Sequence, residues 1–524
     1  MAPARLAARL GLVLLMAAGR ATAQEHPPAA AASLGTVHFE TSCSPVVAPA
    51  FDRGVALLHS FEFGASARAF REVLASDSTC AMAYWGLALG RWGNPMATGN
   101  RDAAQLEAGR RAADAAARFD ERATERERGY VTAVARLYAD YERVGQEARV
   151  AEYERAMAAL VARQPADTEA KIFHAIALVA SAPPTDKSYA RQLRAGATLE
   201  ALWKVHPNHP GLAHYIIHAY DYPALAARAD AAARRYARIA PAAAHALHMP
   251  SHTFTRVGEW DASVATNRRS IEAALRSGSI AEALHASDYV EYALLQMRRL
   301  SGARAVLGSL PSLEARLDPN AVTGAAPGSA GLFALAAIPA RYALERRDWA
   351  AAARLAPRAT SFQWTEAMTY FARALGASHT GDVVTARASI DSLAAIEQRL
   401  RKEGEGYWAE QVAIQRLGAR AWFERANGRD NVALAAMREA ATREDATEKS
   451  AVTPGPLAPA RELLADMLLE LRRPAEALAE YRATLRREPN RYHALDGARR
   501  AAAAAGDRAS EADYTRRLRA LTGG

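Results

Sequence analysis

The sequence has few aromatic residues and only two cysteines. Aromatic side chains make up 7% of its 524 residues, whereas apolar residues make up 50% and alanine runs recur throughout. β-Sheets favour aromatic and β-branched side chains, and closely packed helices favour alanine and leucine. The composition therefore predicts an all-α protein. A chain of this length exceeds a usual single-core domain, which indicates several domains or a quasi-linear repeat array.

The chain also lacks a long apolar run beyond its N-terminus and a dense cluster of Lys and Arg with interleaved aromatics. A helix that spans a bilayer needs about 20 apolar residues, so we expect no stable membrane span. Charged residues of both signs alternate along the chain, so we expect no nucleic-acid binding. No nucleophile elbow, phosphate-binding glycine loop or CxxCH haem motif occurs, so no catalytic residue is assigned and enzymatic activity is left open.

The first 23 residues are typical of a cleavable signal peptide. Arg5 and Arg9 form a basic region, residues 10–18 are apolar, and residues 21–23 (Ala-Thr-Ala) form an A-x-A cleavage site. Arg20 is atypical so close to this site. The pattern predicts export to the periplasm or secretion. Loss of these three arginines would lower the formal net charge from +9 to +6.

Cys43 and Cys80 leave two alternatives open. In an oxidising compartment they could form a disulfide, closing a loop of 37 residues and stabilising the fold by roughly 3–4 kcal/mol. The other alternative is a pair of buried free thiols. A cysteine-based metal site is disfavoured because no CxxC spacing is present.

A helix–turn–helix pattern recurs along the chain. In the clearest unit, Arg472 lies in the turn, Ala477 and Tyr481 lie on the second helix, and Pro489 ends that helix. Gly506 begins the next turn 34 residues after Arg472, and 34 residues is the tetratricopeptide period. Equivalent turns begin at Gly258, Arg347, Gly381 and Gly428, followed by the small residues Ser263, Ala352, Ala386 and Ala433. The predicted fold class is therefore all-α, a tetratricopeptide-repeat (TPR) α-solenoid of stacked antiparallel helix pairs.

The repeats divide the predicted mature chain into segments. We expect an N-terminal extension over residues 24–45 and a first helical array over residues 46–310. The stretch from Leu317 to Gly331 is rich in Pro, Gly, Ala and Ser, which predicts a linker or long loop over residues 311–331. A second TPR array would follow over residues 332–524.

Histidines are concentrated in one part of the first array. Eight of the fourteen lie between His206 and His285. His214 and His218 have i,i+4 spacing, as do His248 and His252. On a helix this spacing places both rings on one face, close enough to chelate a metal ion.

The repeat register places more of these residues in one groove. Helix A of a TPR unit lines the concave groove with positions 2, 5, 9, 12 and 13. With turns at Gly258 and Arg298, these positions are occupied by His245, His248, His252, Thr255 and Arg256 in one unit and by His285, Asp288 and Tyr292 in the next. Pro250 is expected to break or begin a helix within this pattern. His59 takes position 13 of an early unit if Gly54 is at position 8.

Three interpretations of the histidine-rich segment remain open. The first is a site for a divalent transition metal (zinc, iron or copper), whose candidate ligands are His214, His218, His248, His252, His285 and either Asp288 or Asp221. The second is a metal-free site that uses histidines, Tyr292 and Arg256 to hold an anionic ligand or perform acid–base chemistry. The third is a set of buried histidines that only pack helices together. The candidate groove residues are His59, Asp221, His245, Arg256 and Tyr292.

Four segments resemble a group of bacterial exported TPR proteins: residues 80–86 (CAMAYWG), 214–218 (HYIIH), 248–252 (HMPSH) and 453–456 (TPGP). The resemblance covers most of the mature chain and implies the fold and export, without an assigned activity. The repeat class implies a protein or peptide partner, or a small ligand, in the concave groove. We therefore expect an exported TPR scaffold with a histidine-rich metal site. The alternative is a metal-dependent enzyme, a hydrolase or oxidoreductase, in which Asp221, Asp288 or Tyr292 transfers protons.

Overall fold

A computed structural model describes residues 34–523 of the chain, and this part consists of helices without a β-strand. The predicted signal peptide, residues 1–23, lies outside the described residues, as does the first part of the predicted extension. The α-helices are α1 (Ala48–His59), α2 (Phe63–Ser76), α3 (Ala81–Trp92), α4 (Ala103–Arg118), α5 (Glu125–Arg136), α6 (Gln146–Arg163), α7 (Thr168–Ala180), α8 (Ala190–Val205), α9 (Pro210–Ala219), α10 (Asp230–Ile239), α11 (Ala244–His248), α12 (Pro250–Val257), α13 (Trp260–Ser277), α14 (Ile280–Gln296), α15 (Leu300–Glu314), α16 (Gly328–Glu345), α17 (Trp349–Ala353), α18 (Gln363–Thr380), α19 (Val383–Lys402), α20 (Gly406–Ala426), α21 (Asp430–Ala446), α22 (Ala460–Glu470), α23 (Pro474–Arg487), α24 (Tyr492–Ala505) and α25 (Arg508–Thr522). Short 3-10 turns occur at Pro45–Val47, Asp120–Arg122 and Ala226–Ala229.

The turns predicted from the repeat pattern have a common geometry. One residue in each turn has a left-handed backbone, with φ of 78° at Gly381, 77° at Gly506 and 58° at Arg472. The next backbone N–H bonds to the carbonyl five residues earlier, as in Asp382 N to Ala377 O at 2.9 Å. This Schellman arrangement satisfies carbonyls that the end of a helix leaves free.

Consecutive helices pack against each other along the chain, and small residues permit the close approach. The predicted small residues after the turns, Ser263, Ala352, Ala386, Ala433 and Ala477, are all fully buried. These helix hairpins confirm the predicted all-α, TPR-like α-solenoid. No helix in the described part of the chain is both long and apolar enough to cross a membrane.

Gly86 of α3 leaves room for an aromatic ring of the neighbouring helix α2. The ring of Phe70 lies so close to Gly86 that a Cβ there would be 2.4 Å from the ring carbons. The same ring lies 2.9 Å from where a Cβ of Gly54 would be. Gly54 of α1 and Gly86 of α3 thus enclose one aromatic side chain of α2.

The N-terminal segment is attached to the first helices by a covalent bond and by aromatic packing. A disulfide joins Cys43 to Cys80, with an S–S distance of 2.04 Å. Phe39 is buried and packs against Phe51 and Trp85, with ring centroids 5.5 Å apart in both pairs.

Two loops reach back over the first half of the chain. The loop of residues 315–327 connects α15 to α16 and lies within the segment predicted as a linker or long loop. The helices α14 and α16, which precede and follow this loop in the sequence, pack directly against each other. Ala326 N of this loop donates a hydrogen bond to Glu282 at 2.9 Å. The loop of residues 447–459, between α21 and α22, places Lys449 3.3 Å from Asp221. We call these the 320s loop and the 450s loop.

Candidate metal centre

Six histidines meet in the interior of the solenoid. They come from four helices: His214 and His218 from α9, His245 and His248 from α11, His252 from α12, and His285 from α14. Every one is at least 94% buried. Neighbouring rings have centroids between 4.4 and 6.4 Å apart. The five histidines predicted as metal ligands are therefore together, and His245 lies among them.

The break between α11 and α12 keeps three of these histidines on one face. Pro250 is at the first position of α12, where a missing N–H costs no helical hydrogen bond. Met249 retains helical dihedral angles, with φ −53° and ψ −36°. Because the helical path continues through the break, His248 is the last residue of α11 and stays in register with His245 and His252.

His214, His218 and His245 form the first of two groups, which we call triad 1. One ring nitrogen from each lies within 4.8 Å of the others. The Nε2 atoms of all three are buried and have no hydrogen-bond partner in the protein. His214 Nδ1 donates to the backbone carbonyl of His59 at 2.6 Å, and His245 Nδ1 donates to Glu282 Oε1 at 3.0 Å.

These partners determine which nitrogen of each ring carries a lone pair. A carbonyl or carboxylate oxygen only accepts hydrogen bonds, so the Nδ1 atoms of His214 and His245 must carry the protons. In a neutral imidazole the Nε2 atom then holds a free lone pair. Metal-binding histidines usually donate their other ring N–H to such an oxygen, which fixes the orientation of the ring.

His248, His252 and His285 form triad 2. Their three donor nitrogens also lie within 4.8 Å of one another. His248 Nδ1 contacts Asn267 Oδ1 at 2.6 Å, and His252 Nδ1 donates to Asp221 Oδ2 at 2.8 Å. The two Nε2 atoms of His248 and His252 face each other at 3.0 Å.

The orientation of Asn267 settles the tautomer of His248. Asn267 Nδ2 donates to the carbonyl of Ser263 at 2.8 Å, which leaves Oδ1 as the atom that accepts from His248. Both facing Nε2 atoms, of His248 and His252, are therefore lone-pair nitrogens. Two lone pairs 3.0 Å apart repel each other unless a cation lies beside both.

Burial favours the uncharged form of four of these rings, those of His214, His218, His248 and His285. It lowers the pKa of His214, His218 and His248 well below the usual 6.5, and the neighbouring histidines lower it further. Burial likewise lowers the pKa of His285 to about 3. Neutral imidazole is the form that binds metal ions.

Asp221 is held beside triad 2 by two cations. Arg256 Nε donates to its Oδ1 at 2.9 Å, and Lys449 Nζ lies 3.3 Å from its Oδ2. Burial raises the pKa of Asp221, but Lys449, Arg256 and His252 outweigh this effect and hold it well below its usual range. Burial lowers the pKa of Lys449 to about 8. Asp221 is thus an ionised carboxylate that orients His252, and Arg256, which also borders a cavity, forms an ion pair with it.

Two candidate residues of the sequence do not join the histidines. Asp288 Oδ1 accepts from Arg341 Nε at 3.3 Å, and the Tyr292 hydroxyl lies 3.4 Å from Arg491. Both residues are on α14. Asp288, three residues after His285, is turned by roughly 60° from its face, whereas Tyr292, seven residues after it, lies about 10 Å further along the helix. The face of His285 is instead continued by Tyr289, whose hydroxyl is 3.5 Å from His252 Nε2. Asp288 is thus paired with Arg341 and does not belong to the groups of side chains that lie close enough together to hold one ion in the described part of the chain.

His59 belongs to a separate cluster next to triad 1. Its Nε2 lies 2.8 Å from one oxygen of Glu169, and His209 Nε2 lies 2.9 Å from the other. Its Nδ1 is 3.2 Å from the hydroxyl of Tyr215. Burial raises the pKa of Glu169, but the two histidines hold it far below its usual range. Although these side chains lie as close together as metal ligands, both carboxylate oxygens already have partners, so the cluster is a buried hydrogen-bonded network.

Two cavities adjoin the histidines. A small one of about 30 Å³ is bordered by His218 and His245 of triad 1 and by His252 and His285 of triad 2. Residues 325–327 of the 320s loop also border it. A larger cavity of about 390 Å³ reaches His218 and Asp221 and is bordered by Lys449 of the 450s loop.

Several site residues were not identified from the sequence. Tyr289 could have been found, because it lies four residues after His285 on the same helix face. Glu282 and Asn267 could not, since they bind the far side of the rings and follow no groove position. Lys449 is 228 residues from Asp221 in sequence, and no local pattern indicates their contact.

No family model and no curated protein matches this chain. Solved structures similar to it include the human IFIT1 dimer with m7Gppp-AAAA, at 13% identity over 85% of this chain and 90% of that one, with a TM-score of 0.37. Yeast Tom70 is 10% identical over 88% of this chain and 96% of its own, with a TM-score of 0.35. The Cut9–Hcn1 hetero-tetramer of the APC/C is 12% identical over 87% and 76% of the respective chains, with a TM-score of 0.36.

Proposed function

We propose that this protein is an exported helical-repeat scaffold that binds a divalent transition-metal ion in its interior, with triad 2 as the primary site. The observation that carries the proposal is the pair of Nε2 atoms of His248 and His252, which face each other at 3.0 Å. Two ligands at about 2.0–2.1 Å from one ion, with bond angles between 90° and tetrahedral, are separated by roughly 2.9–3.4 Å. The observed separation fits this range.

The remaining donors agree with this assignment. His285 Nδ1 is buried without a hydrogen-bond partner in the protein and supplies a third nitrogen. An all-imidazole donor set suits zinc, copper, iron or nickel rather than magnesium or calcium, and copper(II) forms the most stable complexes of this series. Asp221 and Asn267 orient the rings and do not bind the ion themselves.

Elemental analysis of the mature chain tests the proposal. Protein stripped with a chelator, reloaded with copper(II) or zinc and passed through a desalting column should retain metal in at least one-to-one stoichiometry. The double variant His248→Ala/His252→Ala should lose the ion of triad 2, whereas His206→Ala, at an exposed histidine, should not. Circular dichroism would verify that each variant is folded. Absence of retained metal in the unaltered chain would refute the proposal.

A second candidate function, a metal-dependent enzyme, is favoured by the cavity of about 390 Å³ that reaches His218 and Asp221. This volume lies within the range of small-molecule sites. An accessible ion would bind an added small anion, so azide should shift the visible absorption bands of cobalt(II)-loaded protein. Unchanged bands at saturating azide would favour a closed binding scaffold. The protein or peptide partner expected from the repeat class stays a prediction.

Export is the remaining part of the proposal and rests on the N-terminal sequence. Expression of the full chain in a Gram-negative host should yield a periplasmic protein that begins at Gln24. Changing Ala21 and Ala23 to leucine should block processing. Mass spectrometry of the fractionated cells would report both results, and an unprocessed cytoplasmic chain would contradict export.

A further inference from the structure

We infer that the interior holds two metal ions side by side, one bound by the three histidines of triad 1 and one by those of triad 2, with a water-sized oxygen ligand between them. This inference rests on the proposed function, in which triad 2 binds an ion. It adds a second ion and assigns the small cavity as the place where both ions meet their shared ligand.

The first argument is that triad 1 presents three buried ring nitrogens that could bind a metal ion and have no partner in the protein. The Nε2 atoms of His214, His218 and His245 are buried without a hydrogen-bond partner in the protein, and one ring nitrogen from each residue lies within 4.8 Å of the others. The hydrogen bonds of Nδ1 place the lone pair of neutral His214 and of neutral His245 on Nε2. Three neighbouring imidazoles with unpartnered buried nitrogens are a suitable donor set for one cation.

The second argument is that the two triads are built alike. In each, one histidine donates to a buried carboxylate: His245 to Glu282 and His252 to Asp221. In each, a second histidine is oriented by an amide oxygen, which is the His59 carbonyl for His214 and the Asn267 side chain for His248. This parallel indicates two sites of the same kind.

The third argument is that the triads adjoin. Rings of different triads are 5.8 Å apart for His245 and His248 and 6.1 Å for His218 and His252. These separations are no larger than the 6.4 Å between His218 and His245 within triad 1. Ions bound by both triads would therefore be neighbours.

The small cavity defines the shared ligand. Two histidines of each triad border its volume of about 30 Å³, and one water needs about 10–15 Å³ of such space. Two divalent ions bound by neutral imidazoles concentrate positive charge in a buried site. The carboxylates of Glu282 and Asp221 compensate only part of it, so we expect the bridging ligand to be hydroxide.

Metal stoichiometry and paramagnetic resonance of the copper(II)-loaded protein test the inference. We expect two ions per chain in the unaltered protein and one in each of the single variants His218→Gln and His285→Gln. Exposed His206→Gln is the matched control and should retain two. Two adjacent copper(II) ions couple magnetically, so the unaltered protein should give much less signal than its copper content predicts. Each single-site variant should give the full signal of one isolated ion.

The possible results separate this inference from the proposed function. One ion per chain, lost in both variants, would mean that His218 and His285 bind the same ion, which refutes the pair and retains the metal-binding function. An uncoupled signal from two ions would refute the shared ligand. No bound ion at all would refute both proposals. If glutamine at either position prevents folding, asparagine at the same position is the replacement.

Discussion

Glu291 on α14 provides a sharp test of the buried electrostatics. Its side chain is fully buried, and neither carboxyl oxygen has a hydrogen-bond partner in the protein. Burial raises its pKa well above the usual 4.5, the charge of Asp288 raises it further, and Arg341 opposes the shift. Arg341 is already engaged by Asp288 and by the carbonyl of Pro456. The folded protein therefore keeps Glu291 protonated to a higher pH than the unfolded chain does.

The effect of Glu291 on the free energy of unfolding follows from proton linkage. Above pH 4.5 the carboxyl ionises in the unfolded chain but not in the folded protein. The free energy of unfolding therefore falls by about 1.4 kcal/mol for each pH unit. This destabilisation begins near pH 4.5 and grows until the pH reaches the raised pKa of the folded state. At pH 7 the destabilisation is at most about 3 kcal/mol, because only about 2.5 pH units separate pH 7 from pH 4.5. Glu291→Gln removes the titration and keeps the shape, so the variant should match the unaltered protein near pH 4.5 and exceed its stability by up to this amount at pH 7.

Urea unfolding between pH 5 and pH 8, followed by tryptophan fluorescence, would measure the difference. Trp260, whose ring is 5.4 Å from that of Tyr292, reports on this region. Both proteins are stripped of metal, because metal binding itself depends on pH. Glu272→Gln, at an exposed site on the preceding helix, is the control. If the stabilisation by Glu291→Gln is the same at every pH, Glu291 is ionised in the folded protein and the reasoning is refuted.

Three further stability predictions concern the repeats and the N-terminus. Arg472→Gly should stabilise by about 0.5–1 kcal/mol in thermal unfolding, because glycine relieves the left-handed backbone at φ 58°. Gly86→Ala should destabilise by about 1–3 kcal/mol through its clash with Phe70, and Phe70→Leu in the same chain should recover part of the loss. Cys43→Ser/Cys80→Ser should destabilise by roughly 3–4 kcal/mol, and protease digestion should reveal earlier cleavage near residue 43.

The sequence predicted the helical hairpins well because their signals are local. A left-handed residue is needed where each helix ends, and Gly381 and Gly506 supply it at the expected period. Ala477 is fully buried where the second helix of its unit approaches the first. These requirements act within one repeat, so they recur in the sequence wherever the repeat does.

The candidate site was predictable only where it follows the repeat. His245, His248, His252 and His285 meet because each occupies a groove position of its helix. Asp288 was misplaced by the same template, since position 5 of α14 faces Arg341 and not the neighbouring histidines. The loops that cover the site could not be foreseen. Their contacts, such as Lys449 with Asp221, are long-range and depend on how distant repeats stack.

The burial of the histidines favours the metal interpretation over simple helix packing. Within the two triads, four buried ring nitrogens have no hydrogen-bond partner in the protein: Nε2 of His214, His218 and His245 and Nδ1 of His285. Each unsatisfied buried group costs about 1–3 kcal/mol, and the sum is comparable to the total stability of about 5–15 kcal/mol of a typical domain. Packing alone would favour apolar side chains at these positions. Binding of a transition-metal ion, which contributes about 10–16 kcal/mol in structural zinc sites, would offset this cost and would account for the shared orientation of the rings.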